Sequence, residues 1–148
     1  MLGRRLVGTG ADLVERSVGG RSGGRTGGVP TVDPMEEDRS AAAVCGQISA
    51  LSTIALNASD GRSRGALTDA QYEALIAAER FGYEHLSSSD ERLDNAIDYA
   101  HEYLDAHPAP TSGPALEDSA EWDLVGRTLN TACQQAGSNV VATAQSGG

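Results

Sequence analysis

Three helix-start signatures between residues 68 and 121 constrain the fold of this chain more than any other feature. Thr68 with Gln71, Ser88 with Glu91 and Asp118 with Glu121 each set a short capping side chain three residues ahead of a longer polar one. Each pair precedes a run of apolar residues at helical spacing, the pattern of a capping box. Thr68 opens a stripe of Tyr72, Leu75, Ile76, Tyr83 and Leu86, and Leu67 before it completes a hydrophobic staple with Tyr72. Ser88 opens a helix over about 89–106 that buries Leu93, Ile97, Ala100 and Leu104 and stops ahead of Pro108. Asp118 opens a last helix lined by Trp122, Val125, Leu129, Ala132, Cys133 and Ala136, with Gly137 placed to end it.

Upstream, Val44, Ile48, Leu51 and Ala55 recur at i, i+4, i+7 and i+11, which predicts a first helix over 40–57. The polar stretch Asn57–Gly65, with two glycines, reads as the loop after it. Four amphipathic helices joined by short or moderate loops predict an all-α fold, a four-helix antiparallel bundle in up-down-up-down order. No internal repeat is evident.

The chain divides by charge near residue 32. Residues 1–32 carry five arginines against Asp12 and Glu15, whereas residues 33–148 carry six arginines against 19 acids. Residues 19–28 read GGRSGGRTGG, a glycine density whose backbone entropy opposes order. The expected organisation is a disordered Gly/Arg-rich arm over 1–38, a bundle domain over 39–137 and a flexible tail over 138–148.

Composition sets what the bundle must solve. Leu, Ile, Val and Phe together number 27 of 148 residues, a thin supply for a core. A staple or a partner is therefore expected. Cys45 lies in the first turns of the first helix and Cys133 near the end of the last, which an up-down bundle brings to one level. A disulfide between them would close nearly the whole bundle and contribute about 4 kcal/mol. No apolar h-region follows Met1-Leu-Gly-Arg-Arg5, so the sequence as written reads as cytoplasmic, where both thiols would stay free. A bonded pair would instead place the protein outside the cytoplasm and imply a different native start.

Several function classes are excluded on residue grounds. The formal net charge of −10 opposes binding to duplex nucleic acid, which needs basic charge to displace counterions. No apolar run reaches the roughly 20 residues of a membrane span. The chain has no Lys, so it has no phosphate loop of the Gly-x-x-x-x-Gly-Lys type, and it has no Gly-x-Ser-x-Gly elbow. His85, His101 and His107 are too few and too scattered for a zinc cage. No cofactor and no catalytic residues are expected.

Two features remain. Glu79 interrupts the apolar stripe of the second helix and falls level with Ile97, one turn from His101. A buried carboxylate there must be paired, hydrogen-bonded or neutral. The narrowness of the stripe favours a Glu79 head that reaches solvent instead. Glu91, Asp94, Asp98, Glu102 and Asp105 form an acidic row on the third helix, a solvated face or a surface for a basic partner. The expected function is that of a small acidic helical accessory protein that docks onto another protein and has no catalysis of its own. One alternative is a metal- or ligand-binding bundle using Glu79, His101 and Asp98. A second is a structural accessory protein of a phage or mobile element.

Overall fold

Each helix starts where a side chain meets the orphan N–H groups of its first turn, but the capping residue is not always the one the sequence suggests. The computed structural model describes residues 37–144, which form four helices and no strand: α1 Ala41–Ser63, α2 Asp69–Glu84, α3 Glu91–Ala106 and α4 Ala120–Gln135. The Gly/Arg-rich arm lies outside the described residues.

Ser40 caps α1, its Oγ accepting from Ala43 N–H at 3.3 Å. The helix does not break at Asn57 as expected but continues to Ser63. Ala58 and Gly61 lie on its buried side, where a Cβ on Gly61 would come within 2.8 Å of Leu67 Cδ1. Gly61 is thus a packing residue inside the helix, and the stop belongs to Gly65, whose φ of 71° suits glycine. There Ala66 N–H donates to Gly61 O at 2.7 Å and Gly65 N–H to Arg62 O at 3.0 Å, closing the helix in a Schellman arrangement. Among the described residues α1 is the one helix long and apolar enough, by length and composition, to cross a membrane. Its runs of Ala, Ser, Thr and Gly hid that length in the sequence. One face of it enters the core, with Val44, Cys45, Ile48 and Leu51 buried.

The box at Thr68 forms as expected. Gln71 N–H donates to Thr68 Oγ1 at 3.1 Å and Thr68 N–H donates to Gln71 Oε1 at 2.9 Å. Helix α2 then buries Ile76, Glu79, Arg80 and Tyr83, while Leu75 stands 36% exposed outside the stripe assigned to it. A Cβ on Gly82 would collide with the Leu51 side chain, so glycine allows α1 and α2 their close approach.

The boxes at Ser88 and Asp118 do not form. Asp90 caps α3 through Leu93 N–H at 3.0 Å. Ser88 is buried, its hydroxyl donating to Arg39 O at 3.2 Å and accepting from Asp90 N–H at 3.1 Å. Ser119 caps α4 through Trp122 N–H at 3.1 Å and also pairs with the Tyr103 hydroxyl at 3.0 Å. In both places a neighbouring polar residue was available, and contacts distant in sequence decided which one capped. Helix α4 closes as expected at Gly137, with φ 85° and Ser138 N–H donating to Cys133 O at 2.8 Å.

Helix α1 packs mainly on α2 and α3 mainly on α4, with smaller contacts between α2 and α3 and between α1 and α4. The core centres on Leu93, Ile97, Leu104, Val125 and Leu129, with Val44 and Ile48 joining from α1. The sulfurs of Cys45 and Cys133 lie at disulfide distance, with Cα atoms 5.9 Å apart, and tie α1 to α4.

Arg80 fastens the proline-rich crossing. Its guanidinium donates to Leu104 O and His107 O, both at 2.8 Å, and to Ala115 O at 3.0 Å. Its Nε meets Glu84 at 2.8 Å. One buried cation thus satisfies carbonyls at the end of α3 and fixes the loop above α2. Of the tail expected to be flexible, residues up to 144 are described. Val141 N–H donates to Ser49 Oγ at 2.9 Å and Asn57 Nδ2 to Thr143 O at 3.1 Å, which lays this segment along α1.

Candidate functional site

Glu79 is 4% exposed, so its head does not reach solvent as the narrow stripe suggested. It stands on the inner face of α2 between Ile76 and Tyr83, and both of these neighbours are buried. Among the described residues no hydrogen-bond donor meets its carboxylate. Burial raises its pKa from 4.5 to about 7, and the negative charge of Asp118 pushes in the same direction. Tyr83 is pushed up to about 12, first by burial; a hydrogen bond with Ser52 opposes the shift and the charge of Glu79 adds to it.

Glu79 lines a cleft of about 560 Å³ bordered by α1, α2, α4, the segment 116–118 and the tail at Val140 and Ala142. The aromatic wall is built by ring packing. Trp122 meets Tyr83 edge-on at 5.0 Å between centroids and Tyr103 at 5.2 Å. Leu116, held in place just beyond the Arg80–Ala115 bond, and Ile76 complete the apolar lining. Asp118 and Asp123 stand exposed at the border, and Arg127 is the cation among the lining residues. Ser119 and not Asp118 caps the helix, and the charge of Asp118 acts on Glu79.

The other expected site residues lie elsewhere. His101 Nε2 sits 3.0 Å from Tyr83 O, and its ring engages that carbonyl and not Glu79. Asp98 is exposed on α3. Glu79, His101 and Asp98 therefore do not converge, and no group of three or more His, Cys, Asp or Glu residues is arranged to hold a metal among the described residues. In the acidic row Glu91, Asp98, Glu102 and Asp105 are exposed, while Asp94 is half-buried and accepts from Ser88 N–H at 2.9 Å.

The sequence pattern singled out Glu79 but missed its surroundings. Tyr83 and Trp122 were legible as core positions, and Asp118 was read as a cap. Nothing local marks Leu116 or Ala142 as walls of the same cleft. No protein-family model, curated protein or solved structure gives a significant match to this chain.

Proposed function

We propose that this protein is a binding protein without catalysis, and that it takes its ligand in the cleft over Glu79. The observation that carries this reading is a carboxylate buried on a cleft wall with no donor among the described residues. A protein gains nothing in stability from such a group, because its desolvation is not offset by a partner. Selection for a ligand contact accounts for its retention. The frame suits the task. An up-down-up-down bundle is supported by the contacts at helix ends: Arg39, before α1, donates from Nε to Ser87 Oγ at 2.9 Å beyond α2, and Arg92 in α3 reaches Gln135 O at 3.4 Å at the end of α4. The Cys45–Cys133 pair supports an assignment outside the cytoplasm, where a clamped thin core is an advantage.

Ligand-observed NMR with mixed cationic, neutral and anionic small molecules tests the reading. Gly126 lines the cleft with open space at its Cβ, so Gly126→Phe narrows the cleft with little disturbance of the fold. Compounds that bind the wild type and not Gly126→Phe are expected. A folded protein to which no compound of any charge binds in this way would refute it.

A second reading, docking onto a basic protein surface, is favoured by the four exposed carboxylates of α3. Replacing Asp98, Glu102 and Asp105 together by Ser would abolish docking to a basic partner under that reading and leave cleft binding unchanged.

A further inference from the structure

Resting on that reading, we infer that the cleft takes a small organic cation, a protonated amine on an aryl or alkyl body, with its nitrogen at Glu79. Three features of the site select this chemistry. The first is Glu79 itself, 96% removed from solvent and without a donor among the described residues, on the lining of the cleft. An ammonium group supplies the N–H donors and the opposite charge that a buried carboxylate needs.

The second is the sign of the surroundings. Glu117, Asp118 and Asp123 line the same cleft against one cation, Arg127, which is exposed. An anion entering the cleft meets Glu79 and Asp118 together, and a neutral ligand leaves their repulsion in place. The chain has no Lys, so no primary amine of its own side chains takes that role. The third is the wall. Tyr83, Trp122, Ile76 and Leu116 offer aromatic and apolar surface, which attracts both a cation and the hydrocarbon attached to it, while the ring of Tyr72 already carries the Arg62 guanidinium at 4.6 Å. A volume of about 560 Å³ falls within the range of small-molecule pockets.

Binding of this kind depends on pH. The titratable and charged groups that line the cleft with Glu79 are Tyr72 and Tyr83 on α2, Glu117 and Asp118 on the crossing loop, and Asp123 and Arg127 on α4. Helix α1 and the tail present no titratable side chain to the cleft. Between pH 6 and 8 the ionisation of Glu79 changes, from mostly protonated to mostly charged. A cation whose own charge is constant over that range gains affinity as pH rises.

Trp122 is the only Trp of the chain and stands in the cleft wall, so its fluorescence reports occupancy. The probes are 2-phenylethylamine, 2-phenylethanol and 3-phenylpropionate, titrated into the full-length protein. The amine should produce a saturable change, bind at least tenfold more tightly than either other probe, and gain up to about tenfold in affinity from pH 6 to pH 8. Glu79→Gln should weaken the amine by about tenfold or more and remove the pH dependence. Asp118→Asn, at an exposed position, should weaken it less and serves if Glu79→Gln does not fold. Amine binding that is unchanged in both variants would overturn the inference, as would an alcohol or carboxylate that binds as tightly as the amine. In the latter case the cleft still binds ligands and only its cation preference fails. If none of the three probes changes Trp122 fluorescence, the cation inference fails, and the mixed-compound screen decides the cleft separately.

Discussion

Replacing Glu79 by Gln exchanges a carboxyl for an amide of nearly equal volume, so packing around the site is kept while the titration is removed. In the folded protein burial and Asp118 raise the Glu79 pKa to about 7, whereas the unfolded chain titrates near 4.5. Its folded value is the higher one, so the contribution of Glu79 to stability is fully present below pH 4.5 and is lost as pH rises through 7. At 1.36 kcal/mol for each pH unit between the two values, the loss amounts to about 3 kcal/mol. Against the 5–15 kcal/mol typical of a folded domain this is a large term. Urea unfolding followed by circular dichroism at pH 4.5, 6, 7 and 8, under non-reducing conditions, measures it. The stability of Glu79→Gln minus that of the wild type should be near zero at pH 4.5 and reach about 3 kcal/mol in favour of Gln at pH 8. Equal pH slopes for the two proteins would refute the buried, unpaired state of Glu79.

Reduction of Cys45–Cys133, which closes a span of 88 residues, should lower stability by about 4 kcal/mol, and thermal unfolding with and without a phosphine reductant measures the loss. Arg80→Leu strips donors from the Leu104, His107 and Ala115 carbonyls and should cost on the order of 3 kcal/mol by denaturant midpoint. Arg80→Lys should recover only part of that, because one ammonium cannot replace the guanidinium fork. Gly82→Ala drives a methyl into Leu51 and should destabilise by roughly 1–3 kcal/mol, whereas Gly46→Ala meets open space in α1 and should stabilise by up to about 1 kcal/mol.

How far the fold could be read from the chain depended on whether a signal was local. The four helices follow from apolar periodicity, and Cys45 and Cys133, the two cysteines of the chain, lie at disulfide distance. Thr68 and Gln71 cap each other, and no distant residue competes for them. Ser88 and Asp118 satisfy the same sequence pattern, yet Arg39 claims Ser88, and Ser119 takes the capping role beside Asp118. Gly61 looks like a loop glycine because the contact that makes it helical, with Leu67, appears only once the chain has turned back. Glu79 was conspicuous as a polar residue in an apolar stripe, but the cleft it lines takes Leu116 and Trp122 from other elements. The cleft draws on all but one of the helices together with a loop and the tail, and no single stretch of sequence carries its outline.

The central claim, a carboxylate buried on the wall of a cleft without a donor among the described residues, is tested most directly by the titration of Glu79 itself. Carbon-detected NMR of the side-chain carboxyl resonances, with Glu79 assigned by its absence in Glu79→Gln, follows that one group from pH 3 to 9. A midpoint near 7, well above the ordinary carboxylate value, is the predicted result. A midpoint at the ordinary value near 4.5 would mean that Glu79 is solvated or paired, and would contradict the account.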